Sequence, residues 1–254
     1  MNYTAIVLAG SRPGRDAFAE QFGTDMKALI PVGGEPMVRR PVRALLGSAN
    51  VRQVLVLGQT PDRIAEAIPA DQRLAFLESL GTIAETMHRL LDDETVGWPL
   101  LVTTADHALL DVATVAEFVA GAEGADLAVG VVERDVVMGR FPGTKRTWLK
   151  FRGGAYTGAN LFVLRSAAVR PAIELWRSVE QDRKKAWRVI ALLGPLVLIL
   201  AALRLVSLNQ VMSRLGKKLG LAVKAVQLSS PLAGVDVDKP ADHMLVEAIL
   251  AGKA

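Results

Sequence analysis

Cysteine is absent from this chain of 254 residues, and only three histidines are present. No disulfide can form, which suits a reducing compartment, and a zinc site of Cys and His ligands is not expected. Aromatic residues make up only 5% of the chain, so we expect no surface that stacks nucleic-acid bases. Residues 1–4 carry no positive charge, and the apolar run after them is too short for a secretory signal. These absences favour a cytoplasmic protein that does not bind nucleic acid.

The positive charge of the chain is concentrated in one segment. The whole chain carries a net charge of +4, but residues 180–218 contain eight lysines and arginines against two acids. This segment therefore carries +6, and the rest of the chain about −2. Such a distribution indicates one basic patch rather than a general surface for polyanions.

Inside the basic segment, residues 189–203 contain no charged side chain. At ~1.5 Å per residue these residues reach ~22 Å, which is short of a hydrocarbon core of ~30 Å. Gly194-Pro195 also interrupts a helix in the middle of the run. A transmembrane span is therefore not expected. Two interpretations stay open: short helices buried in the fold or in a homodimer interface, and peripheral contact of residues 183–204 with anionic lipid at the inner face of a membrane.

Apolar strand-like segments alternate with helical patterns along the chain. Strands are predicted at residues 4–8, 51–57, 74–77, 100–104, 126–132, 147–152, 160–164, 221–228 and at the start of 234–240. Helices are predicted at residues 37–47, 62–67, 82–91, 112–121, 167–177 and 241–250, and a turn or loop at 153–159. Strands this apolar predict a mostly parallel sheet covered by helices on both faces, with ligands at the carboxyl ends of the strands. We expect one α/β domain over residues 1–254, with a helical insertion at 180–218.

The first strand runs directly into a loop rich in glycine and arginine. Residues 10–15 read Gly-Ser-Arg-Pro-Gly-Arg, and Lys27 follows shortly after. Small residues let backbone N–H groups approach phosphate oxygens, and the cations offset the negative charge of the phosphates. The pattern predicts a binding site for a nucleoside triphosphate.

Residues 8–15 and 27–37 resemble the signature of nucleotidyltransferases with a MobA-like or sugar-1-phosphate pyrophosphorylase domain. Enzymes of this kind share a GT-A-like, Rossmann-related fold. Four later segments are similar to family segments in the same order: residues 80–84, 103–106, 158–162 and 234–240. The loop departs from the commoner family pattern, in which Gly-Gly or Ala-Gly is followed by Gly-x-Arg.

The resemblance implies that a phosphorylated acceptor receives a nucleotidyl group from a nucleoside triphosphate, with release of pyrophosphate and with Mg²⁺ as cofactor. It leans towards CTP or UTP, with a sugar phosphate, an alcohol phosphate of a lipid pathway or a cofactor precursor as the acceptor. The basic apolar segment favours a membrane-linked lipid or glycan precursor pathway. Guanylyl transfer to molybdopterin or adenosylcobinamide phosphate is one alternative. A GT-A glycosyltransferase is another, because Asp236-Val237-Asp238 has the Asp-x-Asp form. A non-catalytic nucleotide-binding regulator or membrane scaffold is the third.

The resemblance also assigns roles to residues of this chain. The expected triphosphate-binding and catalytic residues are Arg15 and Lys27, with Arg12 as the substitute for Arg15. The expected nucleotide pocket consists of Leu8, Ala9, Gly10, Ser11, Arg12, Gly81 and Thr82. The expected Mg²⁺ ligands are Asp106 and Asp236, and the expected acceptor-binding residues are Asn160 and Lys145.

Each of these assignments has a structural alternative. Asp106 and Thr82 stand where helix N-caps are common, and Asp238 is suited to cap the turn before Pro240. Asp236 and Asp238 are two apart on a predicted strand and should share one face. We expect His107 to be a polar residue of the crevice rather than a metal ligand.

Overall fold

The computed structural model describes residues 2–10, 14–79, 81–93, 95–181, 200 and 203–253. The strands are β1 (Tyr3–Leu8), β2 (Pro31–Val32), β3 (Glu35–Pro36), β4 (Val51–Gly58), β5 (Leu74–Glu78), β6 (Leu100–Thr104), β7 (Leu127–Glu133), β8 (Leu149–Phe151), β9 (Gly154–Leu164) and β10 (Val223–Leu228). The α-helices are α1 (Ala17–Glu20), α2 (Arg39–Leu46), α3 (Pro61–Glu66), α4 (Ile83–Leu90), α5 (Val112–Gly121), α6 (Arg134–Arg140), α7 (Arg170–Gln181), α8 (Leu208–Leu219) and α9 (Pro240–Leu250). Short 3-10 helices span Lys27–Leu29, Ala167–Val169 and Pro231–Gly234.

Eight of these strands form one sheet in the order β10-β7-β9-β6-β1-β4-β5, with β8 paired to β9. β1 is parallel to both β4 and β6, β5 is parallel to β4, and β10 is parallel to β7. β9 runs antiparallel to β6, β7 and β8. The predicted α/β fold with a mostly parallel sheet is confirmed.

Helices cover both faces of this sheet. In β1, Ala5 and Val7 pack into the apolar cluster that includes side chains of α2 and α5. Ile6 and Leu8 face the opposite way, into the cluster that includes side chains of α4 and α7. Each strand residue therefore finds apolar neighbours on whichever face it points to. This two-sided burial explains why the strand reads as an unbroken apolar run.

Residues 154–159 belong to β9, so the prediction of a turn or loop over 153–159 is wrong except at Gly153. Tyr156 pairs with Leu149 of β8 on one side and with Glu133 of β7 on the other. Glycines weaken a strand in isolation, but here two neighbouring strands supply the backbone hydrogen bonds. Helix α6, which follows β7 directly, was not predicted.

The predicted strand at the start of residues 234–240 is also wrong. A 3-10 helix ends at Gly234, and the chain continues extended but outside any strand. Val235 and Val237 are buried, and the backbone N–H of Val237 donates to the Asp106 carbonyl at 3.0 Å. The alternation placed Asp236 and Asp238 correctly on the side opposite the two valines.

The basic apolar segment is described only at its two ends. Helix α7 closes at Gln181, and α8 begins at Leu208. Most of residues 183–204, including nearly all of 189–203, lie outside the described residues, so their burial, dimer contact or lipid contact stays a prediction. Within the described ranges, no helix is both long and apolar enough to cross a membrane.

Candidate active site

The ends of β1 and β6 bring the first parts of the site together. These parallel strands are neighbours, and Leu8 stands opposite Thr104 at their carboxyl ends. The loop after β1 leads to Lys27, and Asp106 follows β6 after one residue. Because parallel strands end at the same edge, both side chains reach the same crevice.

Lys27 joins two carboxylates that are far apart in the sequence. Its Nζ lies 2.6 Å from Asp106 Oδ2 and 2.6 Å from Asp238 Oδ1. Burial by itself lowers the pKa of Lys27, but the two carboxylates outweigh that effect and raise the pKa above its usual value. Lys27 is therefore protonated and places a positive charge at the centre of the site.

Asp106 is oriented by its neighbours and does not cap a helix. The Thr104 hydroxyl donates a hydrogen bond to Asp106 Oδ1, and Lys27 contacts the other carboxylate oxygen. The N-cap of α5 is Asp111, whose side chain accepts from the Thr114 backbone N–H at 2.7 Å. The carboxylate of Asp106 is thus left facing the crevice.

A cavity of about 670 Å³ opens beside this ion cluster. Its lining includes Leu8, Ala9, Gly10, Arg15, Lys27, Met37, Ile83, Thr104, Asp106 and Asp238. The cavity lining thus combines apolar side chains with cations and carboxylates. This combination suits a ligand that carries both a flat ring and a charged phosphate chain.

Asp236 belongs to a second, more buried cluster. The Arg146 guanidinium contacts the Asp236 carboxylate, donates to the Asp236 carbonyl at 3.1 Å and lies 3.6 Å from Asp242 Oδ1. Asn160 Nδ2 donates to the other Asp236 carboxylate oxygen at 3.3 Å. Burial lowers the pKa of Arg146, and the nearby carboxylates, Asp242 foremost, partly offset this. The cluster anchors the chain just before Asp238.

Asn160 reaches Asp236 because the backbone of β9 is irregular there. Its φ is +48°, a left-handed conformation that asparagine tolerates better than most residues. The register between β7 and β9 shifts between Val129 and Val131, close to this point. A local irregularity in a strand changes the direction of a side chain, and here it turns the Asn160 amide towards Asp236.

Most of the chain matches a known protein family. A model of the MobA-like NTP transferase domain matches residues 5–202. The chain belongs to this family. A hypothetical transferase from Thermus thermophilus is 34% identical, with a TM-score of 0.81 over 96% of this chain and 100% of that chain. Curated proteins give no match.

Two more distant solved structures share the fold with this transferase. The 2-C-methyl-D-erythritol 4-phosphate cytidylyltransferase of Thermus thermophilus is 18% identical, with a TM-score of 0.55 over 99% of this chain and 100% of that chain. A CMP:2-keto-3-deoxy-manno-octonic acid synthetase, solved with CTP, is 14% identical, with a TM-score of 0.61 over the full length of both chains. The chain is a nucleotidyltransferase, as the resemblance implied.

The glycine–arginine loop of the transferase is partly described. A Cβ on Gly10 would lie 3.1 Å from Gln59 Nε2 and 3.3 Å from Ser79 Oγ, so a side chain there would crowd these two neighbours. Arg15 lines the cavity but is 88% exposed and pairs with Glu20 at 2.6 Å. Ser11 and Arg12 lie outside the described residues. The choice between Arg12 and Arg15 therefore stays open.

Gly81 and Thr82 have clear structural roles at the start of α4. Gly81 has a φ of +71°, and Thr82 and Glu85 form a reciprocal capping box. Ile83, the first residue of α4, lines the cavity. The alternative of Thr82 as a helix cap is confirmed, and contact of Gly81 and Thr82 with the base stays a prediction.

Asp238, His107 and Lys145 lie in three different environments. Asp238 does not cap α9: the N-cap is Lys239, without a side-chain cap, and the Asp238 backbone N–H donates to Asp242 at 3.2 Å. His107 is not in the crevice, because it is almost fully buried with its Nδ1 3.3 Å from Thr103 Oγ1. Lys145 is exposed and lines a separate cavity of about 550 Å³, together with Arg140 and Lys239.

The donor chemistry of the site fits Mg²⁺. Asp106 and Asp238 both lie within hydrogen-bond distance of one ammonium group, so their oxygens are close enough to share a single cation. Over the described ranges there is no cluster of three or more His, Cys, Asp or Glu that could hold a metal ion. A hard cation that takes a few carboxylates and completes its shell with phosphate oxygens and water matches such a site.

Proposed function

We propose that this transferase moves a cytidylyl group from CTP to the phosphate of a small phosphorylated acceptor and releases pyrophosphate. The observation that carries the proposal is the Lys27 ammonium held between Asp106 and Asp238, beside Gly10 and a large cavity. The similar solved structures include a cytidylyltransferase and a synthetase with CTP, which supports CTP over UTP as the donor.

In this reaction an acceptor phosphate oxygen attacks the α-phosphorus, and the bond from the α-phosphorus to the departing pyrophosphate oxygen breaks. The nucleophile and the leaving group are both anionic, so the protein acts mainly by positioning and by offsetting negative charge. Among the described residues, Lys27 and Arg15 are cations that line the cavity. Gly10 leaves room for backbone N–H groups to approach the phosphates.

We place Mg²⁺ between Asp106 and Asp238, where it would offset charge on the triphosphate. Asp238 replaces Asp236 in our proposal because Asp236 is engaged by Arg146 and Asn160. Asp236 as a direct ligand remains the alternative. In our assignment Asp236 holds the segment that presents Asp238.

The acceptor site adjoins the end of this segment. The cations Arg140, Lys145 and Lys239 and the acid Asp242 line the cavity of about 550 Å³, and Phe141 and Leu245 belong to its apolar wall. Three cations beside an apolar wall suit a phosphorylated alcohol or sugar of a lipid or glycan precursor pathway. In this arrangement Lys145 contacts the acceptor phosphate, and Asn160 acts through Asp236.

A pyrophosphate-release screen tests the proposed reaction. The full chain with Mg²⁺ is offered CTP, UTP, GTP and ATP, each against sugar phosphates, alcohol phosphates and cofactor-precursor phosphates. We expect release with CTP and one class of acceptor. Activity with GTP and a cofactor precursor would establish the guanylyltransferase alternative, and turnover of a nucleotide-sugar without pyrophosphate would establish a glycosyltransferase.

The substitution Asp106→Asn tests the metal assignment. We expect turnover to fall about 100-fold or more, because the change removes a charge that acts on the transition state, while the fold persists. The control is Asp111→Asn, the same substitution at the N-cap of α5, where asparagine caps equally well. Initial rates and circular dichroism are compared, and unchanged turnover in Asp106→Asn would remove Asp106 from the mechanism.

A further inference from the structure

Exposed apolar side chains lie on strand β8 and on the stretch of residues 203–206. Leu149, Leu203 and Leu205 have exposed fractions of 58%, 63% and 52%. The backbone N–H of Arg152 donates to the Val206 carbonyl at 2.9 Å, which ties the 203–206 stretch to the end of β8. Three exposed leucines on two stretches that this hydrogen bond joins need an explanation, because single exposed apolar side chains are ordinary but grouped ones mark binding surfaces.

A basic groove of about 460 Å³ joins the two stretches that carry these leucines. Its lining includes Arg134, Trp148, Lys150, Phe151 and Arg204. Of the described residues that line the groove, Asp135 is the acid, and it already pairs with Arg134 at 3.4 Å. Lys150 and Arg204 therefore leave the groove with an excess of positive charge next to the leucines.

We propose that this β8 surface, formed by Leu149, Lys150, Arg152, Leu203, Arg204 and Leu205, binds an anionic lipid bilayer. The leucines enter the boundary between head groups and acyl chains, and the long basic side chains reach the lipid phosphates. The inference is independent of the proposed reaction, since no residue of the surface belongs to the ion cluster or to the two cavities assigned to substrates.

Charge complementarity favours an anionic bilayer over a second copy of the chain or a nucleic acid as the partner of this surface. Two copies of the chain that met through this surface would bring like charges together, which disfavours association. Nucleic acid would satisfy the cations but would leave the leucines in water. An anionic bilayer satisfies both groups at once, because it offers phosphates at its surface and an apolar layer directly beneath.

Vesicle co-sedimentation of the full chain tests the proposal. The vesicles consist of phosphatidylcholine alone or contain about 30% phosphatidylglycerol, a charge density that attracts basic residues near the surface. We expect binding to the anionic vesicles only, and about 0.5 M NaCl should release most of the protein, because it shortens the Debye length. Equal binding to neutral vesicles, or no binding to either, would overturn the proposal.

Surface variants locate the contact. Lys150→Glu with Arg204→Glu should lower the partition coefficient about tenfold or more, and Leu149→Ser with Leu205→Ser should lower it as well. Lys224→Glu and Met244→Ser are the controls, because both side chains are exposed elsewhere on the molecule. Circular dichroism verifies that each variant is folded. Vesicle binding that persists in both double variants would contradict the β8 surface.

Trp148 provides a signal at the surface itself. It is half-buried in the groove, so bilayer contact should shift tryptophan emission to shorter wavelength, and Trp148→Phe should abolish most of the shift. Light scattering gives the mass of the lipid-free protein. A dimer that the same double variants dissociate, in a protein without lipid affinity, would assign the surface to a second copy of the chain and overturn the bilayer.

Discussion

Lys27 occupies the position between two carboxylates that a divalent cation would take. Its ammonium group offsets the repulsion between Asp106 and Asp238 when no other cation is present. Binding of Mg²⁺ at the same oxygens requires this ammonium to move, and the triphosphate is the anion towards which it can move. The same residue would then serve the free enzyme and the complex in two different contacts.

The substitution Lys27→Met tests this exchange. Methionine preserves much of the length of the side chain but leaves the two carboxylates without their shared cation. We expect turnover to fall about 100-fold, as for removal of one group that stabilises transition-state charge. Without nucleotide, Mg²⁺ should raise the melting temperature of this variant more than that of the wild type, because no ammonium competes. Equal shifts in thermal denaturation would contradict the exchange, and Lys27→Arg is the control that retains the charge.

His107 makes the stability of the fold depend on pH. Burial lowers its pKa from 6.5 to about 4, although Asp106 and Asp111 act in the opposite direction. Between those pH values the unfolded chain binds a proton that the folded chain does not, so stability falls as the pH is lowered through this window. The loss reaches at most about 3 kcal/mol at pH 4, at 1.36 kcal/mol per pKa unit. Urea midpoints from pH 7 to pH 4 should show a shallower slope in His107→Leu than in the wild type, and identical slopes would contradict this.

At the scale of elements, β9 and residues 235–238 both differ from the local sequence pattern, and for the same reason. Strand β9 contains Gly154 and Gly158 and directly follows Gly153, and local rules assign such a stretch to a turn. Its hydrogen bonds come from β6, β7 and β8, none of which pairs with all of it. Residues 235–238 show the converse, since their alternation is typical of a strand but no neighbouring strand of the described chain pairs with them. Whether each segment forms a strand therefore depends on the presence of a neighbouring strand to pair with, rather than on local sequence preference.

Gly216 shows how closely one helix packs against the chain that follows it. A Cβ at this position of α8 would lie 2.4 Å from the Leu221 carbonyl oxygen, which belongs to rigid backbone. Gly216→Ala should therefore destabilise the protein by about 1–3 kcal/mol, as overpacking does, despite the better helix propensity of alanine. Gly139→Ala on α6 is the matched control, because a Cβ there meets nothing within 4 Å. This control should be neutral or stabilising by about 0.5–1 kcal/mol in chemical denaturation. A Gly216→Ala variant as stable as the wild type would show that the close approach relaxes at no cost.

At the scale of the molecule, the topology gathers the site from both ends of the chain. β1 lies in the middle of the sheet, so the loop after it is flanked by the ends of β4 and β6. The C-terminal segment returns to this edge and is fixed there by the bond from Val237 to the Asp106 carbonyl. Ligand binding at such a place should stabilise the whole fold, because the bound groups come from residues 10 to 238.

Thermal denaturation with CTP and Mg²⁺ measures this linkage. At a ligand concentration about 100 times the dissociation constant, the free energy of unfolding should rise by about 2.7 kcal/mol. This gain corresponds to an increase in melting temperature of about 5–10 °C for a chain of this size. Asp238→Asn should remove most of the shift. Asp236→Asn should retain more of it, provided that Asp236 acts by holding the segment. A larger loss in Asp236→Asn than in Asp238→Asn would restore Asp236 as the metal ligand.

The sequence alone was sufficient for the fold class, for most strands and helices, and for the family. Each of these depends on patterns within a few neighbouring residues: apolar runs such as residues 4–8, helix caps such as Thr82, and the glycine–arginine loop with Lys27. Such patterns act through local sterics and burial, so they can be recognised without knowing what lies opposite.

Only the tertiary structure decided which charges meet. Lys27 pairs with Asp238 across 211 positions, and Arg146 pairs with Asp236 across 90, and no local rule distinguishes these partners from other lysines, arginines and aspartates. The burial of His107 and the direction of the Asn160 amide also depend on the tertiary structure. Coulomb forces and hydrogen bonds depend on distances in space, and those distances exist only after the sheet has brought the distant strands together.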